Sequence, residues 1–168
     1  MMDTQFAKFL QIGIIVENVE ETIKHYEEYG IGPWRVAPFD TKDLPEFTLN
    51  GEKKRMHTIM AFCNVWGFEL ELIQPVSDSP YKTWLDEHGP GIHHIAVVTE
   101  DNYDDVLAQY KEEKGSEPWV RGIGMGGLMD FSYLDLREEL GIFAEIYRNI
   151  QPGRPGIRYE YEGTDASK

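Results

Sequence analysis

HIAVVTEDNYDDVLAQYKEEKG, residues 94–115, has a similar stretch earlier in the chain, and this similarity indicates how the chain folds. That earlier stretch, QIGIIVENVEETIKHYEEYG at residues 11–30, has the same order of an apolar run, an acidic segment and a final glycine. Aligned from their first residues, the two stretches place Gln11 opposite His94. Each apolar run is typical of a buried strand, and each segment after it has the spacing of an amphipathic helix. The chain is therefore predicted to contain an internal duplication.

Three apolar segments follow each predicted helix, so that each half has the order βαβββ. Between the second and third strands of the first half, residues 40–53 are interpreted as a mostly polar loop. The segment SDSPYKTWLDEHG, residues 77–89, is interpreted as a short helix between the halves. The pattern predicts an α+β fold with two modules, at about residues 8–75 and 90–148, in one domain over residues 1–150. The tail, residues 151–168, is expected to be extended or disordered.

Charge and composition exclude several classes of partner. The chain of 168 residues has 30 acidic and 16 basic side chains, a formal net charge of −14. Binding to nucleic acid or to an anionic membrane surface is not expected, because both need clustered Lys and Arg. No stretch approaches the roughly 20 apolar residues of a membrane helix, and the N-terminus lacks the pattern of a signal peptide. With one cysteine, Cys63, and no disulfide framework, a cytoplasmic location is expected.

Two adjacent histidines begin an apolar run in GPGIHHIAVV, residues 89–98. Neighbouring side chains of a strand point to opposite faces, so His93 and His94 cannot have the same role. Ile95 and Val97 should pack under the helix that follows, which places His93 on the helix side with a structural role. His94 then faces away from that helix, as does Gln11 in the first half.

Carboxylates lie in the last strand of each half. Glu69 and Glu71 share one face of GFELELIQP, and Glu145 lies in the middle of GIFAEIYR. A charge in an apolar strand costs several kcal/mol unless it is paired or bound to a cation. Gln11, Glu71, His94 and Glu145, one on each of four strands, therefore predict a site for a divalent metal ion. Glu69 is either a group behind the ligands or a solvent-facing residue near the rim of the sheet.

The segment IQPVSDSPYKTWLDEHGPGIHHIAV, residues 73–97, carries a resemblance to a known family. A proline-terminated strand, a DSP tripeptide, a short helix and a GIHHIA run follow one another in this order. Over about residues 8–148 the chain resembles the vicinal oxygen chelate superfamily, which includes glyoxalase I, extradiol dioxygenases and bleomycin-resistance proteins. Within the superfamily it is most similar to methylmalonyl-CoA epimerase. The resemblance implies duplicated βαβββ modules that form a curved mixed sheet around a metal-binding cavity.

For the site, the resemblance implies a divalent metal ion held at the four positions already named, with Zn, Co, Ni, Mn and Mg all open. The epimerases usually have histidine where Gln11 stands, whereas the zinc glyoxalase I of eukaryotic type has Gln, Glu, His and Glu in this order. The other catalytic glutamate of the epimerases is matched here by Arg55, which is a departure from the family pattern.

The implied function is that of a metal-dependent epimerase or racemase, which removes a proton next to a carbonyl group of a small molecule. Glu145 is expected to be both ligand and base, with Glu52 or His57 as the opposing acid. Aromatic residues make up 12% of the chain, which favours an apolar or aromatic ketone over a CoA ester. The alternatives are a lactoylglutathione lyase of the glyoxalase I type and a non-catalytic small-molecule binding or resistance protein. An iron extradiol dioxygenase is disfavoured, because such enzymes normally bind iron through two His and one Glu, whereas this chain has Gln at position 11. A homodimer is expected, because each module leaves sheet edges that need covering.

Overall fold

The computed structural model describes residue 6 and residues 8–99, 102–124 and 129–149. The expected tail, residues 151–168, lies outside the described residues. The chain divides into two compact units. The N-terminal unit comprises residues 11–42 and 55–94, and the C-terminal unit comprises the described residues up to 10, 43–54 and 95–149. None of the described helices is both long enough and apolar enough to cross a membrane.

The predicted strands and helices occur in the predicted order. In chain order the elements are β1 (Lys8–Ile15), α1 (Val19–Glu28), β2 (Arg35–Asp40), β3 (Phe47–Leu49), β4 (Glu52–Lys53), β5 (His57–Val65), β6 (Phe68–Pro75), α2 (Pro80–His88), β7 (Gly91–Val98), α3 (Tyr103–Lys114), β8 (Val120–Gly124), β9 (Met129–Leu136), α4 (Arg137–Leu140) and β10 (Ile142–Asn149). Of these, β3, β4 and α4 are present in addition to the predicted elements. The prediction of an α+β fold with duplicated βαβββ modules is confirmed.

The prediction of a plain loop over residues 40–53 is wrong. After a single 3-10 turn, Thr41–Asp43, this stretch forms the β3–β4 hairpin. Asn50 and Gly51 make its turn with φ values of 50° and 79°, as a two-residue hairpin requires. β3 pairs with β8, about 70 residues later in sequence. β3 has three residues and β4 has two, so both are too short for a hydrophobic period to be recognised. The partner of β3 is also remote in sequence.

In the N-terminal unit the strand order is β2-β5-β6-β1-β7, with β1 contributing residues 11–15 and β7 residues 91–94. β1 is parallel to β6, whereas β5 is antiparallel to β6 and to β2. Asn18 caps α1 by accepting a hydrogen bond from the backbone of Glu21. The helix packs its apolar side on one face of this sheet, where the cluster includes Val19, Ala61 and Leu72. Since side chains alternate along a strand, Gln11, Glu69 and Glu71 belong to the opposite face.

In the C-terminal unit the strand order is β7-β10-β9-β8-β3-β4, with β7 contributing residues 95–98. The α3 helix covers one face and packs Tyr103 and Leu107 against Val97 and Ile146. Val97 therefore lies under the helix that follows it, as predicted. Because Ile146 faces α3, its neighbour Glu145 belongs to the face that α3 does not cover.

Candidate metal centre

The imidazole of His94 is seated directly on the backbone of Gly13. His94 is 0% exposed, and a Cβ atom built at position 13 would lie 1.8 Å from Cε1 of the ring. No side chain fits at such a distance, so only glycine at position 13 of β1 leaves room for the His94 ring that projects from β7. The position of the ring therefore depends on a residue two places along the strand from Gln11.

Glu71 stands beside His94 in the N-terminal unit. Its register partner on β1 is Gly13, and its Oε2 lies 3.4 Å from Nε2 of His94. The side chain is 2% exposed, and its Oε2 has no hydrogen-bond partner among the described residues. A desolvated carboxylate oxygen without a hydrogen bond is costly, which points to a cation at this place.

Gln11 is the third buried polar group on this face of the N-terminal unit. Its Nε2 donates a hydrogen bond of 2.6 Å to Oε1 of Glu69, its register partner on β6. The other end of the amide, Oε1, is buried and has no hydrogen-bond partner within the described part of the chain. Glu69 is 6% exposed, which favours the reading of a group behind the ligands over a solvent-facing residue.

His93 occupies a different environment from His94. Its ring packs edge-on against Tyr81 and Trp84 of α2, with centroids 5.3 and 5.4 Å away. The ring therefore packs against α2, the helix before the strand, whereas the helix named in the prediction is α3, which follows the strand. The Nδ1 atoms of His93 and His94 lie 3.3 Å apart, so the two rings are also in polar contact.

Glu145 lies on β10 of the C-terminal unit and is 3% exposed. Its register partner on β9 is Tyr133, and Phe143 and Tyr147 are its neighbours on the same face of its own strand. All three aromatic side chains are buried. The carboxylate therefore lies in an apolar and aromatic environment that excludes water.

Asp130 shows how this chain treats a buried carboxylate with a purely structural role. Like Glu71 it is 2% exposed, yet it accepts hydrogen bonds from Tyr103 (2.9 Å), Arg121 (3.2 Å) and Arg148 (3.1 Å). Burial, followed by the charge of Asp130, raises the pKa of the Tyr103 hydroxyl, which stays a donor. The carboxylate of Asp130 thus accepts hydrogen bonds from protein groups. Oε2 of Glu71, by contrast, accepts no hydrogen bond from the described residues.

The two residues expected as the opposing acid lie in different places. Glu52 is an exposed residue of β4 that forms an ion pair with Lys54 at 3.5 Å. It shares a face of the C-terminal unit with Glu145, but it is four strands away, or about 19 Å at the usual strand spacing. His57 begins β5 and alternates with Ile59 onto the face covered by α1, away from Glu71.

Arg55, the position at which the sequence departs from the pattern implied by the resemblance, forms an ion pair with Asp40. Its guanidinium donates to both carboxylate oxygens of Asp40, at 3.0 and 2.6 Å. Those hydrogen bonds hold the pKa of Asp40 well below its usual range. Arg55 is exposed, whereas the side chain of Asp40 is largely buried, and the pair leaves Arg55 as a cation that cannot accept a proton.

Two residues on these faces escaped the sequence analysis. Tyr133 lies directly across from Glu145, and Arg35 places its guanidinium 4.5 Å from the ring centre of Phe62, the register partner of Glu71. Only the pairing of β9 with β10, and of β2 with β5, brings these groups next to the carboxylates. No local pattern in the sequence indicates that pairing.

The donor set suits a divalent metal ion. The N-terminal unit offers the amide oxygen of Gln11, a carboxylate oxygen of Glu71 and an imidazole nitrogen of His94, and Glu71, His94 and Glu145 each have a group that can ligate a metal. The two oxygens and one nitrogen of the N-terminal unit are donor atoms that Zn, Co, Ni, Mn and Mg all accept. The buried oxygens of Gln11 and Glu71 that lack hydrogen bonds are what such an ion would satisfy.

Comparison with known proteins adds the family. The model of the Glyoxalase/Bleomycin resistance protein/Dioxygenase superfamily matches residues 10–131. Among solved structures, methylmalonyl-CoA epimerase from Mycobacterium tuberculosis is similar, with 18% identity and a TM-score of 0.59 over 90% of this chain and 94% of the epimerase. A methylmalonyl-CoA epimerase in complex with methylmalonyl-CoA has 23% identity and a TM-score of 0.57 over 88% of this chain and 98% of that one.

A hypothetical protein from Bacillus halodurans C-125 is similar to the same degree, with 19% identity and a TM-score of 0.56 over 88% of this chain and 98% of that one. At these identities the likeness concerns the fold. No curated protein sequence matches the chain. The family model covers well over half of the sequence, and the chain therefore belongs to the Glyoxalase/Bleomycin resistance protein/Dioxygenase superfamily.

Proposed function

We propose that this protein is a metal-dependent epimerase or racemase, which exchanges a proton on the carbon next to a carbonyl group. The observation that carries the proposal is the pair of buried oxygens, on Gln11 and Glu71, that lack hydrogen bonds beside the imidazole of His94. Such an arrangement is costly without a cation, and a cation next to a carbonyl group is what this chemistry needs.

Gln11, Glu71, His94 and Glu145 would hold the metal ion. When bound, the ion supplies positive charge that stabilises the negative charge developing on a carbonyl oxygen as the neighbouring C–H bond breaks. Gly13 keeps the imidazole in place, and the β1–β6 pairing keeps Gln11 and Glu71 on one face. This rigid support is what a preorganised site requires.

Glu145 is the group we propose for removing the proton. A carboxylate is a suitable base for a carbon acid when water is kept away from it and the developing charge is stabilised elsewhere. The buried side chains of Phe143, Tyr133 and Tyr147 provide such surroundings in the C-terminal unit. After the transfer, the carboxyl group of Glu145 holds the proton and can return it.

Epimerisation requires a second proton carrier, because the proton must return from the opposite side of the carbon. Glu52 and His57 are the residues proposed from the sequence. The structure adds Tyr133, the register partner of Glu145, whose hydroxyl can donate a proton. Variants of these three residues separate the candidates, as described below.

The substrate we propose is a small carbonyl compound with an apolar or aromatic part. Aromatic side chains on the face of Glu145 favour this class over a highly polar molecule. A similar structure contains methylmalonyl-CoA, so a CoA ester belongs in every test. Arg35, stacked over Phe62 on the face of Glu71, is positioned to contact an anionic group of such an ester.

A lactoylglutathione lyase of the glyoxalase I type is the second candidate function. The observation that favours it is Gln11, which replaces the histidine usual in the epimerases and gives the ligand order of the eukaryotic-type zinc enzyme. In that reaction one base moves the proton to the neighbouring carbon, so no second acid on the opposite face is needed.

Solvent exchange tests the reaction class. The metal-loaded protein in deuterated water should introduce deuterium at the α-carbon and racemise at least one member of a panel. The panel contains methylmalonyl-CoA, α-substituted aromatic ketones and the hemithioacetal of methylglyoxal and glutathione. Mass spectrometry measures the label, and chiral chromatography measures the inversion.

The same experiment identifies the opposing acid. Among Glu52→Gln, His57→Gln and Tyr133→Phe, the variant of the true opposing acid should keep α-carbon exchange but lose inversion. Conversion of the hemithioacetal to a thioester, with no racemisation of the other compounds, would move the assignment to glyoxalase I. Metal binding with no exchange of any compound would favour a non-catalytic binding protein.

Metal content tests the ligand set. The wild-type chain should hold about one divalent ion, whereas His94→Ala and Glu145→Ala should lose it together with the exchange activity. His88→Ala is the matched control, since His88 is exposed on α2, where its ring stacks on Trp84 and its Nδ1 lies 3.0 Å from the Trp84 backbone oxygen. Elemental analysis after dialysis gives the stoichiometry, and thermal unfolding checks that each variant folds. A folded His94→Ala protein with full metal content would sink the assignment.

The seat of the His94 ring gives a second test. Gly13→Ala should displace the imidazole, lower the free energy of unfolding by about 1–3 kcal/mol and reduce metal affinity. Gly91→Ala, on β7, makes only an ordinary contact of 3.6 Å with Trp84 and should change neither quantity. Denaturant unfolding and metal titration compare the two. Equal metal affinity in both variants would show that the ring position does not matter for binding.

The oligomeric state remains a proposal from the sequence. We expect a homodimer, because exposed sheet edges in proteins of this kind need covering. Sedimentation velocity at micromolar concentration should give a mass near twice that of the 19.4 kDa chain. A single species with the mass of one chain would refute it.

A further inference from the structure

Glu69 is buried next to the proposed metal ligands, but nothing so far gives it a task. We propose that Glu69 is a positioning residue, which fixes the orientation of the Gln11 amide so that its oxygen and not its nitrogen faces the metal ion. The inference rests on the proposed metal site, and it assigns a role to a residue that does not itself bind the ion.

The geometry of the contact supports this role. Gln11 and Glu69 are register partners on the parallel strands β1 and β6, so both side chains project from the same face. Nε2 of Gln11 donates a hydrogen bond of 2.6 Å to Oε1 of Glu69. An ionised carboxylate can only accept hydrogen bonds. The NH₂ end of Gln11 must therefore face Glu69, and the oxygen must point away from it.

Orientation matters because the two ends of an amide have nearly the same shape and opposite hydrogen-bonding character. If the amide of Gln11 were reversed, two N–H hydrogens would face the cation in place of an oxygen. The ligand would then be lost without any change in packing. In the structure the oxygen end is buried and has no hydrogen-bond partner in the described part of the chain, as a metal ligand requires.

A second glutamine on the same sheet shows the contrast. Gln74 on β6 also has a fixed amide, but its oxygen accepts a hydrogen bond of 2.9 Å from the backbone N–H of Val19 at the start of α1. That amide accepts a hydrogen bond from a backbone N–H at the start of a helix, which otherwise lacks a partner, and this is a structural role. Gln11 has the reverse arrangement, with the donor end held by the protein and the acceptor end left for another partner.

The choice of a carboxylate at position 69 also argues against a role in stability alone. Glu69 is 6% exposed, and two apolar residues of similar volume would be expected to stabilise a strand pair at least as well as a buried charge and an amide. A charged acceptor is the choice that forces one orientation of the neighbouring amide. The Glu69 carboxylate therefore serves to fix the orientation of the Gln11 amide more than to stabilise the folded state.

Glu69→Gln is the first test variant, because it preserves shape but offers a donor as well as an acceptor. The amide of Gln11 then loses its fixed orientation, and affinity for Co²⁺ or Zn²⁺ should fall by about 10- to 100-fold. Glu20→Gln on the exposed side of α1 makes the same change of charge and should bind like the wild type. Calorimetric titration of the metal-free proteins gives both affinities.

The double variant Gln11→Glu with Glu69→Gln tests orientation directly. In it the amide at position 69 donates to the carboxylate at position 11, whose second oxygen faces the ion, so affinity should return to the wild-type value or above it. Because a carboxylate is by itself a stronger ligand than an amide, the double variant is compared with Gln11→Glu alone. A carboxylate has an oxygen at either end, so Glu69→Gln should lower affinity in the wild-type background but not in the Gln11→Glu background, whereas a role in packing alone predicts the same loss in both. The same loss in both backgrounds, in folded proteins, would overturn the proposal.

The metal-free protein provides a readout independent of binding. In wild type, one of the two side-chain amide protons of Gln11 should resonate downfield and exchange slowly with solvent, and Glu69→Gln should abolish this difference. If the wild type shows the signature but binds no metal, the proposed function fails and the Gln11–Glu69 contact stands. If the wild type binds metal and Glu69→Gln binds equally well, the function stands and the positioning role is refuted.

Discussion

The contact between the His94 ring and the backbone of Gly13 is the constraint on which the rest of the site depends. It fills the space that any side chain at position 13 would occupy, and it brings Nε2 of the ring within 3.4 Å of Oε2 of Glu71. Neither group is exposed to water by more than a few per cent. Nε2 of His94 and Oε2 of Glu71 are thus close together and buried, without a hydrogen bond between them. This arrangement is costly, and a cation bound to both atoms would stabilise it.

The fold compensates for the energetic cost of these buried polar groups through apolar packing elsewhere. Strands β1 and β6 run parallel and hold Gln11, Glu69 and Glu71 on one face, while α1 seals the other face with an apolar cluster. The C-terminal unit repeats the plan, with α3 on one face of its sheet and Glu145 on the other. In both units the helix side carries the apolar burial that stabilises the fold. The remaining face is free to hold groups chosen for chemistry, as expected when function is added to a stable scaffold.

Much of this was accessible from the sequence, because duplication and alternation are local patterns. The repeat between residues 11–30 and 94–115 predicts both modules, and alternation in the HHIAVV run separates His93 from His94. The β3–β4 hairpin was missed because its strands are too short to show a period, although its Asn50–Gly51 turn is a hairpin signal. The proposed roles of Glu69 and Tyr133 depend on the register between strands, which a single sequence does not contain.

The ligand environment of a bound metal ion tests the central claim most directly. X-ray absorption spectroscopy of the cobalt-loaded protein counts imidazole rings through their characteristic multiple scattering. The proposed site predicts one imidazole, from His94, with oxygen atoms as the remaining ligands, and no bound cobalt in a folded His94→Ala variant. Two imidazoles would bring His93 or His57 into the coordination shell, and a spectrum with no imidazole would place the metal elsewhere. Either result would contradict the account.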